Sequence, residues 1–124
     1  MKADIKSVGR CLSFSEAVAE TVEKLPYIEC TLEHTHEIYA VKTYEKTDIY
    51  PGFDELERQA RLACLTAFEP YVERSAFDST LFYSWLVPTL DGWNDNKVED
   101  RTTLCVLGRS DGGTLTKSMK GENI

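Results

Sequence analysis

The densest chemistry in this chain lies in "CTLEHTHEIYA", Cys30 to Ala40, where a cysteine, two histidines and two glutamates fall within eleven residues. In an extended chain alternate residues share a face, so His34 and His36 form a His-x-His pair of the kind that binds zinc. Zinc needs at least one more good donor. With the cysteines oxidised only carboxylates such as Glu33 and Glu37 remain, and regular alternation sends Glu37 to the opposite face. Hydrolysis would instead need a nucleophile, and Ser79 and Ser84 are the nearest tempting hydroxyls. Neither sits in a Gly-x-Ser-x-Gly elbow, and nucleophile, base and oxyanion donor are not all visible. Among 21 acidic residues, choosing two as acid and base would be arbitrary. The expectation is no catalytic residue, no cofactor and no metal, with His34 bonded to backbone or Glu37 and His36 partly solvated. The alternative is a metal-binding or hydrolytic module centred on His34, His36 and Glu37.

Three other residues invite a role. Asp100 and Arg101 could bind an anion, but an ion pair or loop anchor, with the guanidinium forked onto a carboxylate or carbonyls, is the simpler reading. Trp93, in a Gly-Trp-Asn loop, either marks a ligand surface or closes the edge of the core. Tyr39, Phe82, Tyr83 and Trp85 supply enough aromatic area to cover a sheet face, and any left exposed together would form a binding patch.

The elements that must position these residues come from one domain. A chain of 124 residues with 42% hydrophobic and 28% charged residues is an ordinary globular chain. The formal net charge of -7 excludes phosphate-backbone binding, which needs clustered Lys and Arg, so no nucleic-acid partner is expected. No apolar run approaches the roughly 20 residues of a membrane span. The polar start "MKADIKSVGR" has no signal-peptide pattern. Either the protein is cytosolic, a small-molecule binder with free thiols for example, or its export segment lies outside this sequence. Cys11, Cys30, Cys64 and Cys105 are scattered, with no Cys-x-x-Cys knuckle. Such an even count favours two structural disulfides and an oxidising compartment over four buried thiols.

The stretch "GFDELERQARLACLTAFEPY" repeats Phe53, Leu56, Ala60, Cys64, Ala67 and Tyr71 at helical spacing. Asp54 is expected as its cap with Glu57 three residues on, and Pro70 should stop or kink it. "HEIYAVKTYE", "STLFYSWLVPT" and "RTTLCVLGR" read as strands, the last two joined by the polar loop "LDGWNDNKVED". "SDGGTLTKSM" suggests a turn and a short hairpin strand. "SFSEAVAETVEKLPYIEC" is ambiguous, with helix-spaced Val18, Val22 and Leu25 but an extended arrival at Cys30. The sum is an α+β domain over 1–124, its core about 8–118, with one main helix on a mostly antiparallel sheet. Spacing alone leaves three disulfide pairings open. If the sheet face bearing Cys105 carries the helix, Cys64–Cys105 would join helix to sheet and leave Cys11–Cys30 at the N-terminal segment.

"VGRC", "PYIECTLEHTHEI", "YPGFDEL" with Cys64 beyond it, "VPTLDGW" and "EDRTTLC", in that order, resemble the septum-formation domain family of actinobacterial envelope proteins. The likeness covers about Val8 to Gly108 and includes all four cysteines. His34 and Glu37 match the family's His and Glu, whereas His36 has no counterpart. Arg10 stands where an Asp is usual, and Glu33 where a Pro often precedes the His. The resemblance implies a domain outside the cytoplasmic membrane, attached through an anchor, with a role in cell envelope or septum biology and no established enzymatic activity. Its partner would be a protein or cell-envelope ligand that the sequence does not identify.

Overall fold

The computed structural model describes residues 7–14, 25–45, 49–97 and 99–124. The ambiguous stretch with Val18 and Val22 therefore lies largely outside the described residues. Among the described residues seven elements follow one another: β1 (Cys11–Leu12), β2 (Tyr27–Ile28), β3 (His36–Thr43), α1 (Phe53–Val72), β4 (Leu81–Leu86), α2 (Leu90–Asn94) and β5 (Thr102–Arg109). The five strands form one antiparallel sheet in the order β2-β1-β3-β5-β4. One main helix lies on it, the α+β arrangement expected from the sequence.

The helix turns a row of residues four apart, Leu56, Ala60, Cys64, Phe68 and Val72, towards the sheet. Such a row slants around the helix, which is why Phe53 falls off it and stays 58% exposed. One end signal acts otherwise than the sequence suggests. The N-cap is Gly52, at φ 101° with no side-chain cap bond, and Asp54 lies inside the first turn. Pro70 does lie near the end of the helix, which runs two residues further to Val72 and closes through left-handed Glu73, whose N–H reaches the Glu69 carbonyl. In the final turn a missing N–H costs a single bond, so proline is tolerated there.

Alternation along β4 and β5 sends side chains to two apolar layers. On the helix side Tyr39, Cys64, Phe68, Val72, Leu81, Cys105 and Leu107 pack together with Leu115 and Met119. Leu12, Leu25, Ile38, Leu104 and Val106 form a second cluster on the other face. A register shift between Ile38 and Ala40 lets both Tyr39 and Ala40 face the helix layer. The Tyr39 hydroxyl donates to the Cys64 carbonyl at 2.6 Å, and Trp85 Nε1 donates to Glu57, tying strands to helix at two points.

The supposed polar loop 90–100 contains α2, capped by the Thr89 hydroxyl, which accepts from Gly92 N at 3.0 Å. The supposed hairpin after β5 does not form. The chain turns at Gly112 and Leu115 pairs instead with His34. That return path runs beside β3, so the C-terminal segment reaches the residues named at the outset.

Candidate functional site

Both disulfides exist with the pairing Cys11–Cys30 and Cys64–Cys105, and no cysteine is free. The first closes a loop of 19 residues and ties β1 to the segment leading to β3; the second closes 41 and joins α1 to β5. Two-residue β1 is too short to be stable alone. It persists because Cys11 pairs with Glu37 on one side and Ile28 on the other, while the bridge fixes its end.

The two histidines part company here. Thr35 forms a bend between them, breaking the alternation on which a His-x-His pair depends. Gly108 allows this: a Cβ there would lie 2.8 Å from the Thr35 carbonyl oxygen. His34 is buried beside Cys11 and Glu37, and one donor atom from each of the three lies within 4.8 Å of the others. His36 turns to the other cluster, its ring edge-on to Phe14 at 5.0 Å and to Phe82 at 5.7 Å. Burial, with a smaller contribution from nearby His34, lowers its pKa below the ordinary value. The His34–His36 ligand pair is thus replaced by a His34–Glu37 pair, and Glu37 does not fall opposite His34.

Glu37 is fully buried in an apolar strand, which requires its lone pairs to be satisfied. Met119 N donates to Oε1 at 2.8 Å, while the Ser118 hydroxyl, at 2.8 Å, and the Tyr71 hydroxyl donate to Oε2. One carboxylate therefore gathers β3, the end of α1 and the C-terminal segment. Burial first, then the hydrogen bond to Glu37, raises the pKa of Tyr71 far above the ordinary phenol range. Tyr71, Ser118 and Met119 could not be identified as partners from their spacing, since they lie 34, 81 and 82 residues from Glu37. A glutamate inside the apolar run "HEIYAV" was the available signal.

The remaining candidates have structural surroundings. Neither ring nitrogen of His34 meets a serine: Nδ1 is 2.8 Å from the Leu32 carbonyl, and Nε2 is buried with no hydrogen-bond partner among the described residues. The Ser79 hydroxyl donates to the Ile124 carbonyl and accepts from Leu81 N. Ser84 stands opposite Val106 in the sheet. Glu33 is exposed. Trp93 is 2% exposed, its ring bordered by Tyr44 and Tyr50, with the Arg101 guanidinium 4.0 Å above it. Arg101 also donates to the Trp93 carbonyl at 2.6 Å, and Asp100 accepts from Thr102 N at 3.2 Å. Comparison of this chain with known protein families, curated proteins and solved structures found no match.

Proposed function

We propose that this is a non-catalytic interaction domain that works outside the cytoplasmic membrane, attached through an anchor, in cell envelope or septum formation. The observation that carries the location is the use of all four cysteines in two bridges. Disulfides of this kind persist in oxidising compartments and are rare where thiols are kept reduced. The resemblance to the septum-formation domain supports the envelope role. No helix among the described residues is long and apolar enough to cross a membrane.

Recognition by such a domain would use apolar side chains that a rigid scaffold leaves in solvent. Ile49, 90% exposed, and Phe53, 58% exposed, flank the Pro51-Gly52 break ahead of α1, and Leu62 is exposed further along that helix. Apolar groups exposed next to one another mark contact sites, and Ile49 and Phe53 lie only four residues apart. The test is binding of the purified, oxidised domain to isolated actinobacterial envelopes. Saturable binding should weaken roughly tenfold or more, about 1.4 kcal/mol, in an Ile49→Ser, Phe53→Ser double variant of unchanged melting temperature. Absence of binding, or equal binding by the variant, overturns the reading.

A further inference from the structure

His34 is fully buried, and its two ring nitrogens have different surroundings. A carbonyl oxygen can only accept, so the 2.8 Å contact with Leu32 places the proton on Nδ1 in the neutral ring. The lone pair is then on Nε2, which is buried without a hydrogen-bond partner among the described residues. This is how a histidine is prepared to ligate metal: a backbone carbonyl fixes the tautomer through one nitrogen and the other offers its lone pair. Leaving such a group buried and unused costs free energy, so its retention calls for a partner.

Two more donors lie close to this imidazole. The Cys11 sulfur, a ring nitrogen of His34 and a carboxylate oxygen of Glu37 lie within 4.8 Å of one another. With Nδ1 committed to Leu32, Nε2 is the nitrogen available. Glu37 also has capacity to spare. A carboxylate offers about four lone-pair positions, and among the described residues Oε1 accepts from Met119 N alone while Oε2 takes the other two bonds. What disqualifies the cluster in the oxidised protein is Cys11, whose sulfur is bonded to Cys30 and cannot be a thiolate.

We propose that opening the Cys11–Cys30 bridge converts this seam into a zinc site with Cys11, Cys30, His34 and Glu37 as ligands. A dithiol reductant supplies two electrons and two protons to the S–S bond; the bond breaks, two thiols form, and the reductant becomes a disulfide. Zinc then displaces both thiol protons to solvent. Two thiolates, one neutral imidazole and one carboxylate make four donors of the types zinc takes in tetrahedral sites. Access comes from the Cys30 side, where the half-buried residue borders a surface depression shared with Arg10, Tyr27 and Leu32. Cys64 and Cys105 are 0% and 1% exposed, so the same reductant leaves the second bridge closed. His36, held between Phe14 and Phe82, contributes no ligand. Disulfide and zinc are alternative ways of holding β1 to β3, chosen by the redox conditions.

The test uses cobalt as a spectroscopic substitute for zinc and a water-soluble phosphine as reductant. The phosphine takes oxygen from water to become its oxide and leaves two protons for the sulfurs, without itself chelating metal as a dithiol would. The oxidised protein should show no thiolate-to-cobalt charge-transfer band. After reduction of one bridge, confirmed by alkylation of Cys11 and Cys30 alone, one cobalt per chain should give an intense near-ultraviolet band that zinc abolishes. His34→Gln should weaken the affinity at least tenfold, and His36→Gln less than twofold. A Cys30→Ser variant needs no reductant: its Cys11 is a free thiol, so it should bind cobalt with a weaker band. No stoichiometric metal in the reduced protein or in Cys30→Ser overturns the proposal. So does equal binding by the oxidised protein, or an equal loss in His36→Gln.

Discussion

Cys64–Cys105 and Cys11–Cys30 have the same Cα separation, 5.3 Å, and both tie a sheet strand to another part of the chain. Their surroundings differ in every other respect. Cys64 and Cys105 sit among Tyr39, Phe68, Val72 and Leu107, where the bridge adds a covalent tie to an apolar layer that already holds helix to sheet. Cys11 and Cys30 join a two-residue strand to a polar segment, beside a buried histidine, a buried carboxylate and a depression open to solvent. A disulfide takes its character from its neighbours. Surrounded by hydrocarbon it is inert ballast against unfolding, and next to ionisable donors it becomes a place where chemistry can occur.

Removing each bridge should separate the two regions most clearly. By loop-closure entropy, Cys64→Ala with Cys105→Ala should cost about 4 kcal/mol, and Cys11→Ala with Cys30→Ala about 3 kcal/mol. The core pair should lose somewhat more than this because the vacated space lies in a packed layer. Chemical denaturation of both double variants measures the gap, and a gap of only about 1 kcal/mol, the loop-closure difference, would mean that the neighbours of the core bridge add nothing.

A smaller effect is expected from Glu37→Gln, which keeps the shape of the side chain and puts an amide NH2 where a carboxylate oxygen accepted a bond. A donor would then oppose Tyr71, Ser118 or Met119, costing about 2 kcal/mol in the same assay. Crystallography or amide exchange should show the C-terminal segment loosening before the core does. Unaltered stability would show that the seam is not held by this carboxylate.

The smallest effect concerns His36. Its folded pKa lies below the ordinary 6.5, so the unfolded chain takes up the proton first as pH falls. Stability is then complete above pH 6.5 and declines as the pH drops from there towards the folded value. His36→Phe should flatten that part of the stability–pH curve, as followed by urea titrations at several pH values.

Much of the frame could be read along the chain because its signals are local. The helical spacing that places Leu56, Ala60 and Cys64 on one face of α1 and the β-branched and aromatic runs of β3, β4 and β5 depend on periods within single elements. The position of Cys64 on the inner face of the helix and of Cys105 in mid-strand narrowed the pairing for the same reason. Where the reading of the histidines and of the last turn failed, a distant group intervened. Alternation placed His34 with His36 and away from Glu37, but the Thr35 bend, accommodated by Gly108, reversed both relations. The Asp-Gly-Gly turn suggested a hairpin, yet Leu115 found His34 instead of β5. Gly52 took the cap expected of Asp54, because the Pro51-Gly52 break sets where helical geometry begins.

By itself the sequence determined the class of the fold, the main helix and part of its inward face, Leu56, Ala60 and Cys64, because these follow from the hydrophobic effect acting on a repeating pattern; the packing added Phe68 and Val72 and left Phe53 outside. The sequence also carried four cysteines that nothing else in the chain had to explain. Only the tertiary structure decided that Cys11, His34 and Glu37 share one buried corner and that Tyr71, Ser118 and Met119 serve the carboxylate there. Those neighbours come from the two ends and the middle of the chain. A buried polar group must find partners wherever the fold brings them, and no period in the sequence encodes that meeting.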